Sequence, residues 1–171
     1  MVTRSVPVAT TNFSSALVSK PRNVSDIVIK RMRENGGIIM LSLIPELNSA
    51  IPGSATISTV IDHVEHAASI VGYDHLGIGF DFDGMPTTIQ GLEDVSKFPN
   101  LVAEMLKRDI RSHNIEMITG MNFIRVFKKV EEESHRLNKT KKARILQDTV
   151  KPLWSPGLMD WCRKTWPNAE H

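Results

Sequence analysis

Two carboxylates near the middle of the chain have the spacing to do chemistry. In GIGFDFDG (77–84) an apolar run ends in Asp81 and Asp83 before Gly84. Side chains two apart on an extended strand point the same way. If extension continued that far, the two groups could bind a divalent cation or act as acid and base. The same residues also read as an Asp-Gly turn with solvated carboxylates. An EF-hand loop is excluded, because a third ligand is missing and the glycine is misplaced. A second constellation is DHVEH (62–66), with His63 and His66 three apart and carboxylates nearby. On a helix that spacing puts both imidazoles on one face, which suits a metal. Against it stands the stripe Val60, Ile61, Val64 and Ala68, which makes this an ordinary amphipathic helix.

The elements that must position these groups alternate along the chain. VPVATT (6–11) is a short β-prone run. Ser25 then caps a helix carrying Ile27, Val28 and Met32 on one side, and Gly36-Gly37 stop it. IIMLSL (38–43) has strand length and ends at Pro45. From Thr56 to Val71 apolar residues fall at helical spacing up to Gly72, and LGIGFD (76–81) follows as a third strand. Strands that are apolar throughout and alternate with amphipathic helices imply a parallel sheet with right-handed crossovers. The class is α/β. After Asp83-Gly84 come a Pro-containing loop, NLVAEMLKRD, and a helix beginning near Asn122. Its inner side is expected to be Phe123, Val126, Phe127 and Val130, and Asn122 reads as its N-cap.

Composition narrows the partners. With 171 residues, 41% hydrophobic, 23% charged and a single Cys, the chain is a globular domain rather than a disulfide scaffold or a disordered polymer. No uninterrupted apolar stretch approaches the roughly 18 residues of a membrane helix, and no secretory signal follows Arg4, so the location is cytoplasmic by default. The Arg/Lys/Ser/Thr-bearing start, with Asp26 the first acidic residue, also has transit-peptide character, although the same residues read as strand and loop. Sequons at Asn12, Asn23 and Asn138 are formal matches. Residues 136–171 hold 8 of the 21 Lys/Arg but 3 of the 19 Asp/Glu. The cluster Arg136, Lys139, Lys141, Lys142 and Arg144 lacks interleaved aromatics and reads as a solvated helix face, not a nucleic-acid site. Trp154, Trp161 and Trp166 all lie in the tail, either as a docking surface or packed back on their own domain.

GIGFDFDG, GLEDVSKFPNLVAEMLKR (91–108) and GMNFIRVF (120–127), preceded in order by PRNVSD (21–26) and ENGGIIMLSL (34–43), together resemble the membrane (renal) dipeptidase family of zinc peptidases. The resemblance covers about residues 5–133. It implies a TIM-type (β/α)8 barrel that cleaves dipeptides with two zinc ions at the carboxyl ends of its strands. The three strands then match the last three βα units. Residues 1–133 are expected to be the C-terminal half of such a barrel, with C-terminal helices, and 134–171 a basic polar helix and Trp-containing tail. A complete barrel takes about 250 residues.

By the same resemblance, Arg22 matches the arginine that grips the dipeptide's terminal carboxylate, and Asp81 the aspartate that carries a proton to the leaving amine. Asp83 and Gly84 are turn-forming neighbours. The family's zinc ligands are an H-x-D pair on the first strand, a bridging Glu, and one His after each of the fifth and sixth strands. Only the last falls within this sequence, at Thr11 or Asn12, and neither is an imidazole. Zinc needs about three or four N, S or carboxylate ligands. The expectation is therefore a dipeptidase-family chain that is truncated and inactive alone, completed by a missing N-terminal half or a second copy. The alternative is a non-catalytic half-barrel remnant that binds a partner or oligomerises.

Overall fold

The computed structural model describes residues 8–10, 15–140 and 155–165; Thr11, Asn12, Trp154 and Trp166 lie outside them. The chain divides into two compact units, residues 1–136 and 137–171. The first is built on three parallel strands, β1 (Val8–Thr10), β2 (Ile38–Leu41) and β3 (Leu76–Ile78), in the order β1-β2-β3. Ala9 aligns with Ile39, and Met40 with Gly77. The crossovers are α1 (Asp26–Asn35), then a single turn α2 (Pro45–Asn48) and α3 (Ile57–Val71). The parallel α/β arrangement is the one the apolar strands and alternating helices require.

The core forms where Ile39, Leu41 and Leu76 meet Ile29 and Met32 of α1 and Val60, Ile61, Val64, Ala67 and Val71 of α3. Each of these side chains larger than alanine contributes roughly 1.5–3 kcal/mol by leaving water. The buried face of α1 differs from expectation. Ile29 and Met32 are inside, whereas Ile27 and Val28 are exposed, because the helix packs along i, i+3 from Ile29. Gly36 ends α1 in the left-handed region at φ 75°, a conformation that favours glycine. At the start of α3, Thr56 and Thr59 form a reciprocal capping box.

Beyond β3, α4 (Phe98–Lys107) buries Leu101 and Met105. A continuous helical stretch then runs through α5 (Ser112–Glu116), a π turn (Met117–Met121) and α6 (Asn122–Lys139). Asn122 is therefore inside a helix and is not an N-cap. It is fully buried, and its Nδ2 donates to the carbonyls of Tyr73 and Leu76, both at 2.8 Å. The buried seam runs through Ile115, Ile118, Asn122 and Val126. Phe123, Phe127 and Val130, expected inside, are instead 44%, 53% and 47% exposed. The polar Asn122 takes the place against β3 that an apolar-only count assigns to them. In the second unit, α7 (Pro156–Thr165) leaves Trp161 exposed. No helix among the described residues is long and apolar enough to cross a membrane.

Candidate active site

Because β1, β2 and β3 are parallel, the loops that follow them leave from the same edge of the sheet. In α/β proteins this edge carries the chemistry. Asp81 lies in the loop after β3 and Arg22 in the loop after β1, and both side chains are exposed.

Extension does not continue through Asp83. The strand ends at Ile78, and Phe82–Gly84 form a 3-10 turn closed by Gly84 N–H donating to the Asp81 carbonyl at 3.0 Å. The pairing of Asp81 and Asp83 on one side therefore loses its premise. What fixes Asp81 is its neighbours. The rings of Phe80 and Phe82 stack with centroids 5.3 Å apart, and each stacks on Phe98 at the start of α4, at 4.1 and 6.2 Å. Such pairs add about 0.5–1.5 kcal/mol beyond burial. The residues on both sides of Asp81 are thus held, and its carboxylate faces solvent.

Arg22 sits on a built turn. Asn23 N–H donates to the Lys20 carbonyl at 3.0 Å, enclosing Pro21, whose ring presets the turn's φ, and Arg22. Asn23 is buried, and its Nδ2 donates to Val18 and Leu47 carbonyls at 2.8 and 3.0 Å. That side chain ties the loop after β1 to α2, which follows β2. Asn48 does similar work, donating to the carbonyls of Ser42 and Ile44. Asn23, Asn48 and Asn122 each use the amide nitrogen as a double latch; sequence reasoning gave none of them this role, since no local pattern marks a buried Asn.

The DHVEH residues are consumed by packing. His63 is buried among the core residues of α3, while His66 Nε2 lies 3.0 Å from Asp26 Oδ1. Asp62 and Glu65 both accept from Arg108 Nη1 at 2.6 Å, and Arg108 Nη2 also donates to Ser58 O and Oγ. The hydrogen bond that Arg108 donates to Asp62 leads in raising the Arg108 pKa above its ordinary value. His75, which has no partner legible in the sequence, places Nδ1 2.8 Å from the Gly37 carbonyl. The Arg125 guanidinium donates to the carbonyls of Gly36 and Asp74 at 2.9 and 2.7 Å.

The GLEDVSKFPN segment is likewise structural. Glu93 Oε1 accepts from Gly91 N–H at 2.6 Å, and this bond holds the Glu93 pKa below its ordinary value. Asp94 Oδ1 accepts from Ser96 N–H at 2.7 Å, and its hydrogen bonds with Ser96 lower its pKa too. Asn100 Nδ2 closes the loop on the Gly91 carbonyl at 2.9 Å. Among the described residues no group of three or more His, Cys, Asp and Glu is arranged to hold a metal ion.

A parallel sheet flanked by helices, with an aspartate beyond one strand and an arginine beyond another, defines an α/β scaffold with its candidate site at the strands' carboxyl edge. The family model for membrane dipeptidase (peptidase family M19) matches residues 2–141, and the chain belongs to that family. It is 49% identical over 156 residues to dipeptidase tcpJ of Claviceps purpurea (strain 20.1), covering 91% of this chain and 36% of that protein. Dipeptidase ataJ of Aspergillus terreus is 44% identical, covering 83% of this chain and 35% of the relative. This chain thus spans little more than a third of the length of these curated relatives. Its fold is similar to that of a metallopeptidase from Rhodobacter sphaeroides solved with a phosphinate mimic of the dipeptide L-Ala-D-Ala. That similarity has a TM-score of 0.64 and 27% identity, covering 71% of this chain and 35% of the other. The probable dipeptidase PvdM from Pseudomonas aeruginosa shares the fold at a TM-score of 0.68 and 21% identity, covering 75% of this chain and 46% of that one. The family is one of metallopeptidases.

Proposed function

We propose that this chain supplies the carboxyl-terminal part of a TIM-type (β/α)8 dipeptidase, residues 1–133 forming the last three βα units and 134–171 an appended basic helix and Trp-containing tail. The observation that carries this reading is Asp81, an exposed carboxylate beyond the last parallel strand in a chain of the M19 family. Arg22 binds the terminal carboxylate of the dipeptide, a task suited to a planar guanidinium that makes paired charged hydrogen bonds. Asp81 passes a proton to the leaving amine as water oxygen bonds to the scissile carbonyl carbon and the C–N bond breaks. The family's metal is zinc in this reading, two ions per site. The described residues do not form its ligand set by themselves, and Thr11 or Asn12, at the family's histidine position, offers no imidazole. The ligands come from sequence in the part of the relatives that this chain does not match.

A second reading, a non-catalytic half-barrel that binds a partner or oligomerises, draws on two observations. The outer edges of β1 and β3 have no strand partner among the described residues, and Phe123 and Phe127 stack on each other in solvent. Unpaired strand edges are templates for association.

The discriminating experiment measures zinc content and dipeptide hydrolysis on the purified chain with added zinc. The same assay is run on a chimera joining the residues that precede the matched segment of the Claviceps dipeptidase to this chain. The first reading predicts an inactive chain and an active, zinc-loaded chimera. An inactive chimera that binds zinc points to the second reading, and stoichiometric zinc with chelator-sensitive turnover in the chain alone overturns the ligand argument.

A further inference from the structure

Gly84 stands closer to Asp81 than a turn requires. A Cβ built on Gly84 would lie 2.6 Å from Asp81 Oδ1, 2.9 Å from its Cγ and 3.0 Å from Oδ2. Real Cβ atoms do not approach other heavy atoms so closely, so an added methyl forces the carboxylate away. Gly84 is not among the glycines with positive φ, which are Gly36, Gly53, Gly72 and Gly91. Its backbone therefore accepts any L-residue, and the Asp-Gly turn by itself does not demand glycine there. What demands it is the room occupied by the Asp81 side chain.

The carboxylate has few ways to yield. Rotation about χ2 moves the oxygens but leaves Cγ in place, so χ1 of Asp81 must change or its backbone must shift. The backbone is held on both sides, because Phe80 and Phe82 are stacked on each other and on Phe98. Phe98 itself begins α4, whose Leu101 and Met105 are buried.

We propose that Gly84 is a positioning residue for Asp81: its missing side chain leaves the space in which the carboxylate rests, with the Phe80–Phe82–Phe98 stack as the fixed mount. This rests on the reading of Asp81 as the proton-carrying group, and the test separates the two. Relieving a 2.6 Å contact moves the carboxylate on the order of an ångström, and misplacements of that size cost up to about 100-fold in rate.

The geometry is read by NMR on the full chain, from the Asp81 Hα–Hβ couplings that report χ1 and from contacts between Asp81 Hβ and Gly84 Hα. The chemistry is read as kcat and KM of the chimera. Gly84→Ala is expected to switch the Asp81 χ1 rotamer and lower kcat by about 10- to 100-fold with KM within about 2-fold. Gly120→Ala, where a Cβ meets nothing within 4 Å, is expected to change neither. An unchanged Asp81 rotamer in Gly84→Ala overturns the positioning role. So does a switched rotamer with undiminished kcat when Asp81→Asn is inactive. If Asp81→Asn is fully active while the rotamer switches, the reading of Asp81 fails instead, and the geometric relation stands without a catalytic consequence.

Discussion

Replacing Asn122 with Ala isolates the latch that holds the long helix to β3. The wild-type amide is fully buried and donates to the Tyr73 and Leu76 carbonyls, each at 2.8 Å. Alanine leaves both acceptors without this partner, and an unmade buried hydrogen bond costs about 1–3 kcal/mol. The Leu76 bond is wholly buried and the Tyr73 bond only partly, so the second falls at the low end of that range. The loss from both together is about 2–4 kcal/mol, which for a chain of this size lowers Tm by roughly 6–12 °C. The assay is urea unfolding of the full chain followed by circular dichroism, with m unchanged. Asn122→Asp keeps the size but puts an acceptor oxygen where Nδ2 donated to two carbonyls. It is expected to lose more, and its deficit grows as pH rises, since a buried unpaired carboxylate has a raised folded pKa and resists ionisation. A loss below about 0.5 kcal/mol for Asn122→Ala refutes the latch argument.

Arg108→Ala removes contacts to Asp62, Glu65, Glu104 and Ser58, but Asp62 and Glu65 are themselves 49% and 39% exposed. Solvent screening limits the expected loss to about 1–2 kcal/mol, partly suppressed by high salt, and unfolding with and without sodium chloride checks it. Glu93 and Asp94 have folded pKa values below their ordinary values, because N–H and hydroxyl groups stabilise their charged forms. Their contribution is present above the unfolded pKa and is lost as pH falls through the lowered folded one. Amide resonances of Gly91 and Ser96 should therefore titrate with midpoints below 4.5 and 3.8, and midpoints at or above those values contradict the bonding. Phe127→Ser should cost less than about 2 kcal/mol, because the half-exposed ring loses little beyond its stack on Phe123; a loss of about 3 kcal/mol or more measured by urea unfolding restores the inward-facing reading.

The strands, their parallel order and the face of α3 are legible in the sequence, because runs such as IIML and the spacing from Val60 to Val71 report burial directly. Side-chain contacts to distant backbone are not. Arg125 and Asn122, both in GMNFIRVF, meet the carbonyls of Gly36, Asp74, Tyr73 and Leu76, which lie 46 to 89 residues away. The same holds for DHVEH, whose carboxylates accept from Arg108, 43 and 46 residues away. Much of the family pattern thus records how the scaffold is latched. At the candidate site, the loop positions of Asp81 and Arg22 follow from parallel topology. The Asp-Gly turn that the run GIGFDFDG offers is present as the 3-10 turn Phe82–Gly84, but the closeness of Gly84 to the Asp81 carboxylate is not legible in the run.

The most direct test of the account is dipeptide hydrolysis by the chimera with and without Asp81→Asn, at matched zinc content. If Asp81 carries the proton to the leaving amine, the parent turns over and the variant loses about 100-fold or more in kcat while still binding zinc and substrate. A variant that hydrolyses dipeptides as fast as its parent contradicts the assignment of this chain's carboxylate to the reaction.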